Sequence, residues 1–251
     1  MNLRFPSSFE MKTFLDHVAP LTDNGIFLIA KKGLSFQAMD GSHVALLEFF
    51  LAASYFNVFQ LNKAKSLGVS LVALAKVFKQ IPKESTIVWT EKKDKVIMLV
   101  ETSTTQSAKW ELPLMNIDTE QLAIPDTRYP CVLTLPTKRL YHLLNNLSSS
   151  LGADTVEMFM DETELQLTAE NASGMNATLR EKVDVSLSIR CIEPQKCSLA
   201  LGFLLKFVKA SPLTEKVTVS LLEDNPVKVS YVLPEEKGFM HFFLAPKIDE
   251  E

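Results

Sequence analysis

The sequence predicts an α+β protein made of two topologically similar domains, each with antiparallel sheets and two helices. Three observations predict this: the halves of the 251-residue chain share an order of motifs, most segments alternate apolar with polar residues, and four segments have helical spacing. An apolar content of 47% is enough to build a core in each half. We therefore expect a first domain over residues 1–115, a connector over 116–131 and a second domain over 132–251.

The repeat consists of similar segments that recur in the same order about half a chain apart. Residues 12–17 (KTFLDH) resemble residues 138–143 (KRLYHL), and residues 34–40 (LSFQAMD) resemble residues 165–171 (LQLTAEN). A constant offset between similar segments indicates a duplicated structural unit. Two domains of one fold are therefore expected.

Alternating segments predict strands that are joined by tight turns. Residues 217–221 and 227–231 alternate apolar with polar side chains on either side of the turn-forming residues 223–226. Residues 87–90 and 96–100 repeat this pattern around a charged turn. Both pairs predict antiparallel hairpins.

Helical spacing appears in four segments: residues 8–19, 71–79, 137–147 and 199–209. In the second of these, apolar residues recur at i, i+3, i+4 and i+7 from Leu71, which predicts one buried stripe. Ser70 is suited to cap the start of that helix. Pro136 and Thr137 are typical of a helix entrance in the third.

The predicted helices are more basic than the rest of the chain. They hold seven basic residues against Glu10 and Asp16, a net charge of +5, which leaves −9 for the remainder of a chain whose total is −4. The basic residues are Lys12, Lys76, Lys79, Lys138, Arg139, Lys206 and Lys209. On a single amphipathic helix such residues are ordinarily a solvated face. Four helices with the same bias on one surface would attract phosphates without reading bases.

The sequence lacks the motifs of several enzyme classes. With 8 glycines it contains neither GxGxxG nor GxxxxGK, so nucleotide hydrolysis is not expected. Its 4 histidines are scattered and its 3 cysteines form no CxxC pair, so we expect no zinc site, no disulfide framework and no cofactor. The one catalytic alternative is a general base at His43 oriented by Asp40, although short polar residues at a turn are ordinarily structural.

The chain is also expected to stay inside the cell. Its longest apolar runs end far short of the roughly 18 residues that span a bilayer. Residues 1–7 show no apolar stretch of signal-peptide length. We therefore expect no membrane partner.

Three further motifs lie in order along the chain: residues 37–46 (QAMDGSHVAL), 114–125 (LMNIDTEQLAIP) and 244–251 (LAPKIDEE). Together they resemble proliferating cell nuclear antigen, the eukaryotic and archaeal family of DNA sliding clamps, over essentially the whole chain. The resemblance implies the DNA clamp fold, in which three subunits join head to tail with helices lining the hole and sheets outside. It further implies a non-enzymatic nuclear protein of DNA replication and repair that encircles duplex DNA without sequence preference.

Carried over by position, the resemblance implies that Lys12, Lys76, Lys79 and Lys209 face DNA. His142 and Asn145 stand where clamps often have arginine, and Lys138 and Arg139 on the same helix offset this in part; Lys206 completes the predicted DNA-facing set. The loop 161–164 lacks the lysine that serves the family as a ubiquitin acceptor.

The resemblance also implies a surface groove for short partner peptides, the PIP-box peptides of DNA polymerase, the clamp loader, flap endonuclease and DNA ligase. Its lining would be Met39, His43, Val44, Leu46, Leu122, Ile124, Pro125, Pro226, Phe243, Ala245 and Pro246. Apolar side chains that converge from a loop, the connector and the C-terminal strand suit an anchor pocket. Phe243 replaces a tyrosine that is common in the family.

Subunit contacts are implied for two edge strands, near residues 108–115 and 173–181. Their contact residues would be Trp110, Leu112, Leu114, Met175, Ala177 and Leu179. Pro113 cannot donate a ladder hydrogen bond, so either its missing N–H points away from the partner or the interface is weaker than usual. The alternative is a subunit of a related heterotrimeric checkpoint clamp; the connector and C-terminal motifs favour the homotrimer.

Overall fold

The computed structural model describes residues 1–103, 106–117, 122–124 and 126–247. Contacts divide the chain into two compact units of similar size. The first consists of Met1–Gly41, Leu47–Ala123 and Val232–Met240, and the second of Ser42–Leu46, Ile124–Tyr231 and the segment that begins at His241.

The first unit contains helices α1 (Phe9–Val18) and α2 (Leu71–Gln80), which pack against each other. Its strands are β1 (Asn2–Phe5), β2 (Asn24–Ala30), β3 (Gly33–Met39), most of β4 (Ala45–Ala52), β5 (Val58–Gln60), β6 (Lys65–Ser70), β7 (Thr86–Lys92), β8 (Lys95–Glu101) and β9 (Ser107–Pro113). One sheet has the order β5-β1-β7-β8-β9, and β2 pairs with β3 and β6. All these pairings are antiparallel.

The second unit contains helices α3 (Thr137–Leu151) and α4 (Leu201–Val208), which also pack together. Its strands are β10 (Cys131–Pro136), β11 (Thr155–Met160), β12 (Glu164–Glu170), β13 (Asn176–Lys182), β14 (Ser188–Cys191), β15 (Gln195–Ala200), β16 (Lys216–Leu221), β17 (Val227–Val232) and the second half of β18 (Gly238–Leu244). One sheet has the order β13-β12-β11-β15, and β14, β10, β16 and β17 are consecutive neighbours in another. The predicted α+β fold, with antiparallel sheets and two helices in each half, is confirmed.

Aromatic side chains dominate both cores. In the first unit Phe14 of α1 stacks on Phe49 with 4.4 Å between ring centroids. In the second unit Phe207 of α4 stacks on Phe242 at 4.6 Å, and the buried Tyr231 hydroxyl donates a hydrogen bond to the Phe207 carbonyl. In each unit a helix ring thus packs directly on a strand ring. Truncating either helix ring to alanine would lower the free energy of unfolding by roughly 3–5 kcal/mol.

Helix ends follow the sequence signals in most places. The Ser70 hydroxyl accepts a hydrogen bond from the Ala73 N–H and caps α2, as predicted. Helix α3 continues four residues past its predicted end because Leu151 is still buried, and it stops at Gly152, which has φ +62°. The fourth helix begins at Leu201, later than predicted, because Leu199 pairs with Val156 as the end of β15.

The cysteines depart from the sequence expectation of no disulfide. Cys131 of β10 and Cys191 of β14 are direct cross-strand partners, and their sulfurs are joined. Cys197 is a free, buried thiol, and burial raises its pKa to about 11. The sequence offers no signal for the pairing, because the 60 residues between the two cysteines hide their register. Among the described residues no helix has the length and apolarity needed to cross a membrane.

Candidate interaction surfaces

The basic residues of the first unit lie on two packed helices. Lys76 and Lys79 are exposed on α2, which has no acidic residue. Lys12 on α1 is half-buried, and its ammonium donates to the Ile81 carbonyl at 3.2 Å, just past the end of α2. A cation at this position is favourable because the helix dipole leaves partial negative charge there. Lys12 therefore joins the two helices, whereas Lys76 and Lys79 present their charge to solvent.

The second unit repeats this arrangement on α3 and α4. Lys138 and Lys206 are exposed, and Lys209 is exposed directly after α4 ends. Neither helix contains an acidic residue. His142 and Asn145 are exposed on α3 and bring no permanent charge. The two helices therefore form a weakly but uniformly cationic surface.

Arg139 differs from the other basic helix residues because its guanidinium is already paired. It donates to Glu181 of β13 and, at 2.7 Å, to Asp184. The hydrogen bond to Asp184, together with the bonds to Glu181, raises the pKa of Arg139, and the same guanidinium lowers the pKa of Asp184. Arg139 thus braces α3 against an edge strand, a role that the sequence does not reveal.

The strand β9 stands at the end of its sheet. The Leu114 N–H donates to the Asp94 carbonyl at 2.8 Å, and Trp110 and Leu112 lie opposite Met98 and Val96 of β8. Hydrogen-bonded and non-hydrogen-bonded residue pairs alternate along an antiparallel ladder. The backbone groups of Trp110 and Leu112 therefore also bond to β8, whereas those of the odd-numbered residues of β9 point to the open edge. Among the described residues no strand pairs with that edge within β9 itself. Just past the end of β9, on the same side, the Met115 N–H donates to the Gly68 carbonyl of β6 at 2.8 Å.

Pro113 is one of the odd-numbered residues of β9. Its missing N–H therefore falls on the open edge and not on the β8 side. The edge is also charged: Glu111 accepts hydrogen bonds from Lys109 and Lys95, which lower its pKa to about 2. Lysine, charge and proline are common features of protected sheet edges.

The strand β13 stands at the end of the four-stranded sheet. The Val183 N–H donates to the Thr163 carbonyl. Because hydrogen-bonded and non-hydrogen-bonded pairs alternate, the backbone groups of Ala177 and Leu179 bond to β12, and the Thr178 N–H points to the open edge. Met175 is 51% exposed, and Ala177 and Leu179 are half-buried. Both strands expected at a subunit contact are thus available for pairing in the described chain.

Most of the predicted groove residues belong to the second unit. Val44, Ile124, Phe243, Ala245 and Pro246 are partly exposed, and the Ala245 N–H donates to the Val44 carbonyl at 2.9 Å. This bond places the end of the C-terminal strand beside the loop that carries His43 and the start of β4 at Leu46. His43 is exposed, and Leu46 is 9% exposed. Pro226 is exposed. Met39 and Leu122 belong to the first unit, and Pro125 lies outside the described residues.

Two residues absent from the predicted set hold the connector. The Gln37 side chain accepts a hydrogen bond from the Leu122 N–H at 3.0 Å in the first unit. In the second unit the Tyr129 hydroxyl donates to the Pro226 carbonyl at 2.9 Å, and burial raises the pKa of Tyr129. The signals that could have found them are the place of Gln37 within the motif of residues 37–46 and the aromatic character of Tyr129 at the end of the connector.

The catalytic alternative gains no support from the environment of its two residues. Asp40 is 8% exposed and His43 is exposed at φ +60°, the conformation of a tight turn. The described residues contain no group of three or more His, Cys, Asp and Glu side chains that could hold a metal ion.

Comparison with known proteins gives consistent results for both halves. The family model for the proliferating cell nuclear antigen N-terminal domain matches residues 1–122, and that for its C-terminal domain matches residues 123–247. The proliferating cell nuclear antigen of Chaetomium thermophilum is 30% identical over 259 residues, covering 100% of this chain and 99% of that protein. A crystal structure of the proliferating cellular nuclear antigen from Entamoeba histolytica matches with a TM-score of 0.89 at 24% identity, covering 98% of each chain. At that identity the structural likeness supports the fold alone.

Proposed function

The chain belongs to the proliferating cell nuclear antigen family of DNA sliding clamps, and on this basis we propose that three copies close a ring around duplex DNA. The ring is not an enzyme. It acts in the nucleus by tethering DNA polymerase, flap endonuclease and DNA ligase, after a clamp loader has opened it. The observation that carries the proposal is the repeated pair of packed helices whose exposed charged residues are almost all lysines.

The proposed DNA-facing residues are Lys76, Lys79, Lys138, Lys206 and Lys209. All five are exposed, and no ion pair among the described residues includes any of them. The Lys12 ammonium is bonded to the Ile81 carbonyl at the end of α2. We therefore expect it to attract DNA through its charge without contacting a phosphate. Arg139 is left out of this set, since Glu181 and Asp184 neutralise it. Contacts of this kind hold phosphates without register, which suits a ring that slides.

Replacing the five lysines by alanine is expected to weaken DNA retention in a salt-dependent way. After loading onto nicked circular plasmid, the variant should dissociate at a lower salt concentration than the parent. The plot of the logarithm of the DNA-binding constant against the logarithm of salt concentration should become less steep, by roughly one for each phosphate that no longer has a lysine beside it. The readout is the amount of protein that co-elutes with plasmid during gel filtration at increasing salt.

A matched control replaces five exposed lysines outside the helices with alanine: Lys31, Lys32, Lys63, Lys92 and Lys216. It changes the net charge by the same amount and should elute as the parent protein does. Equal salt sensitivity in both variants would contradict a DNA-facing helix surface. Linearising the plasmid should release the parent ring, because a ring slides off a free end.

We propose that the ring closes by pairing the β9 edge of one subunit with the β13 edge of the next. Each subunit offers two different edges, which supports a head-to-tail assembly. Such a heterologous contact forms a closed ring when the rotation from one subunit to the next closes after a whole number of subunits. Trp110, Leu112 and Leu114 would pack against the partner subunit's copies of Met175, Ala177 and Leu179. Pro113 removes one outward donor from this ladder.

Replacing Pro113 with threonine is therefore expected to tighten the ring. One restored backbone hydrogen bond contributes about 1 kcal/mol, which corresponds to roughly a fivefold lower dissociation constant per interface. Analytical ultracentrifugation over a dilution series measures the change. A Pro113→Ala variant should show the same gain, because it too regains the N–H; a gain in neither variant would place Pro113 outside the ladder.

The outward position of Pro113 also favours one alternative, a subunit of a heterotrimeric clamp with a different partner at β9. Light scattering of the purified chain separates the two. A mass of three times 28.1 kDa that survives dilution supports the homotrimer, and a persistent mass of 28.1 kDa supports the heterotrimer.

A further inference from the structure

A pocket lies in the second unit, next to the proposed peptide groove. Its volume is about 540 Å³, and its charged lining consists of Arg128, Arg190 and Glu193. Both arginines are exposed, and among the described residues neither guanidinium has an ion-pair or hydrogen-bond partner. Tyr129 and Ile192 contribute apolar surface, and Ile192 is 79% exposed. The pocket thus combines unpaired positive charge with an exposed aliphatic side chain.

The pocket lies on one face of the sheet formed by β14, β10, β16 and β17. Val132 lies directly opposite Arg190 on one side and Ser220 on the other, and Ser220 lies opposite Lys228. Direct cross-strand partners point to the same face of a sheet. Arg190, Val132, Ser220 and Lys228 therefore form a continuous row across four strands.

That row leads to the proposed groove. The Lys228 ammonium lies 5.4 Å from the centroid of the Phe243 ring, which is a groove residue. The pocket is also joined to the groove through Tyr129, whose hydroxyl bonds to the carbonyl of Pro226, another groove residue. A peptide held at Phe243 can therefore continue along this face without leaving the second unit.

We propose that this pocket is a subsite for an acidic residue that flanks the groove-binding motif of a partner peptide. The inference rests on the proposed function of the groove. Two guanidiniums without an ion-pair partner bind a carboxylate through charge-assisted hydrogen bonds. Glu193 in the same lining disfavours a polyanion such as nucleic acid, and Ile192 offers apolar contact to the peptide chain.

The row sets the spacing of the acidic residue. Three steps between neighbouring strands, at about 4.8 Å each, separate Lys228 from Arg190 by roughly 14 Å. An extended peptide advances about 3.3 Å per residue, so the acidic residue should stand roughly four or five positions from the peptide residue that lies beside Lys228. A carboxylate next to the motif would be too close to reach the pocket.

The test uses the full-length protein and fluorescein-labelled PIP-box peptides that carry a single glutamate at successive flanking positions, on either side of the motif. Fluorescence anisotropy is expected to give about tenfold tighter binding when the glutamate stands four or five positions from the peptide residue beside Lys228. A glutamate directly next to the motif should have little effect. The gain should fall as salt rises from about 50 to about 500 mM, since exposed charges are screened.

Charge exchange identifies the contact. Arg190→Glu should abolish the gain from glutamate and create a preference for a lysine at the same peptide position. The control is Lys216→Glu, a change to the same acidic residue on the same face of β16, where Lys216 lies opposite Pro136 and outside the pocket; it should retain the gain.

Three results would overturn the proposal, and they are distinguishable. If the unmodified peptide binds but neither the glutamate scan nor Arg190→Glu changes its affinity, the subsite fails while the groove stands. If the unmodified peptide does not bind at all, both fail. Loss of the glutamate gain on adding duplex DNA would also overturn it, because the arginines would then serve DNA.

Discussion

A Thr178→Pro variant is expected to remain a 28.1 kDa monomer at concentrations where the parent chain forms a closed trimer. The Thr178 N–H points to the open edge of β13, so proline removes no ladder bond within the subunit. It does remove a donor from the centre of the proposed subunit contact and adds ring atoms where the neighbouring strand must lie. Losing one or two bonds and the close approach should raise the dissociation constant at least roughly 100-fold. Light scattering and ultracentrifugation measure it.

A Thr178→Val variant is the matched control for this experiment. Valine loses the hydroxyl that lies 3.1 Å from the Thr168 hydroxyl, as proline does, but it keeps the backbone N–H. It should therefore trimerise like the parent, and circular dichroism should show similar folding of both variants. A trimer of Thr178→Pro that survives dilution would exclude β13 pairing as the basis of the ring.

Replacing Phe243 with alanine is expected to reduce affinity for PIP-box peptides by roughly 30-fold or more, which corresponds to about 2 kcal/mol for the loss of an aromatic anchor. The ring is partly exposed on β18, with the Lys228 ammonium 5.4 Å away and the His241 ring at 6.4 Å. It thus offers an apolar surface that a peptide side chain can cover. Isothermal titration calorimetry with one peptide measures the loss.

The control is Phe239→Ala on the same strand. Phe239 is also half-buried and lies 5.5 Å from the Phe50 ring, outside the groove set. Both variants should lose similar thermal stability, and only Phe243→Ala should lose peptide affinity while keeping the trimer mass. Equal peptide affinity in the two variants would remove Phe243 from the groove.

The sequence predicts most of what depends on local periodicity. The hairpin of residues 87–90 and 96–100 is present as β7 and β8, and Ser70 caps α2 as expected. The assignment of Leu199 to a helix is wrong, because a buried leucine satisfies both the strand and the helix pattern. Only its pairing with Val156 decides between them.

Features that depend on distant parts of the chain are beyond the sequence. Periodicity groups Arg139 with the DNA-facing residues, since nothing local shows that Glu181 and Asp184, more than about 40 residues later, bind its guanidinium. The disulfide between Cys131 and Cys191 and the alignment of Arg190 with Lys228 likewise depend on strand register. The site residues implied by family resemblance remain predictions that the variants above test.

The two open edges give the isolated subunit a hazard that the assembled ring would not have. A strand with free backbone groups can template pairing with any extended chain, and a head-to-tail contact that fails to close grows into a filament. Newly made subunits would pass through this state before they find their partners. Pro113, at the outer end of β9, shortens the stretch that a wrong partner could copy, and Lys109 and Glu111 put charge along the rest. The same features that make the subunit contact slightly weaker would then make the isolated subunit more resistant to aggregation.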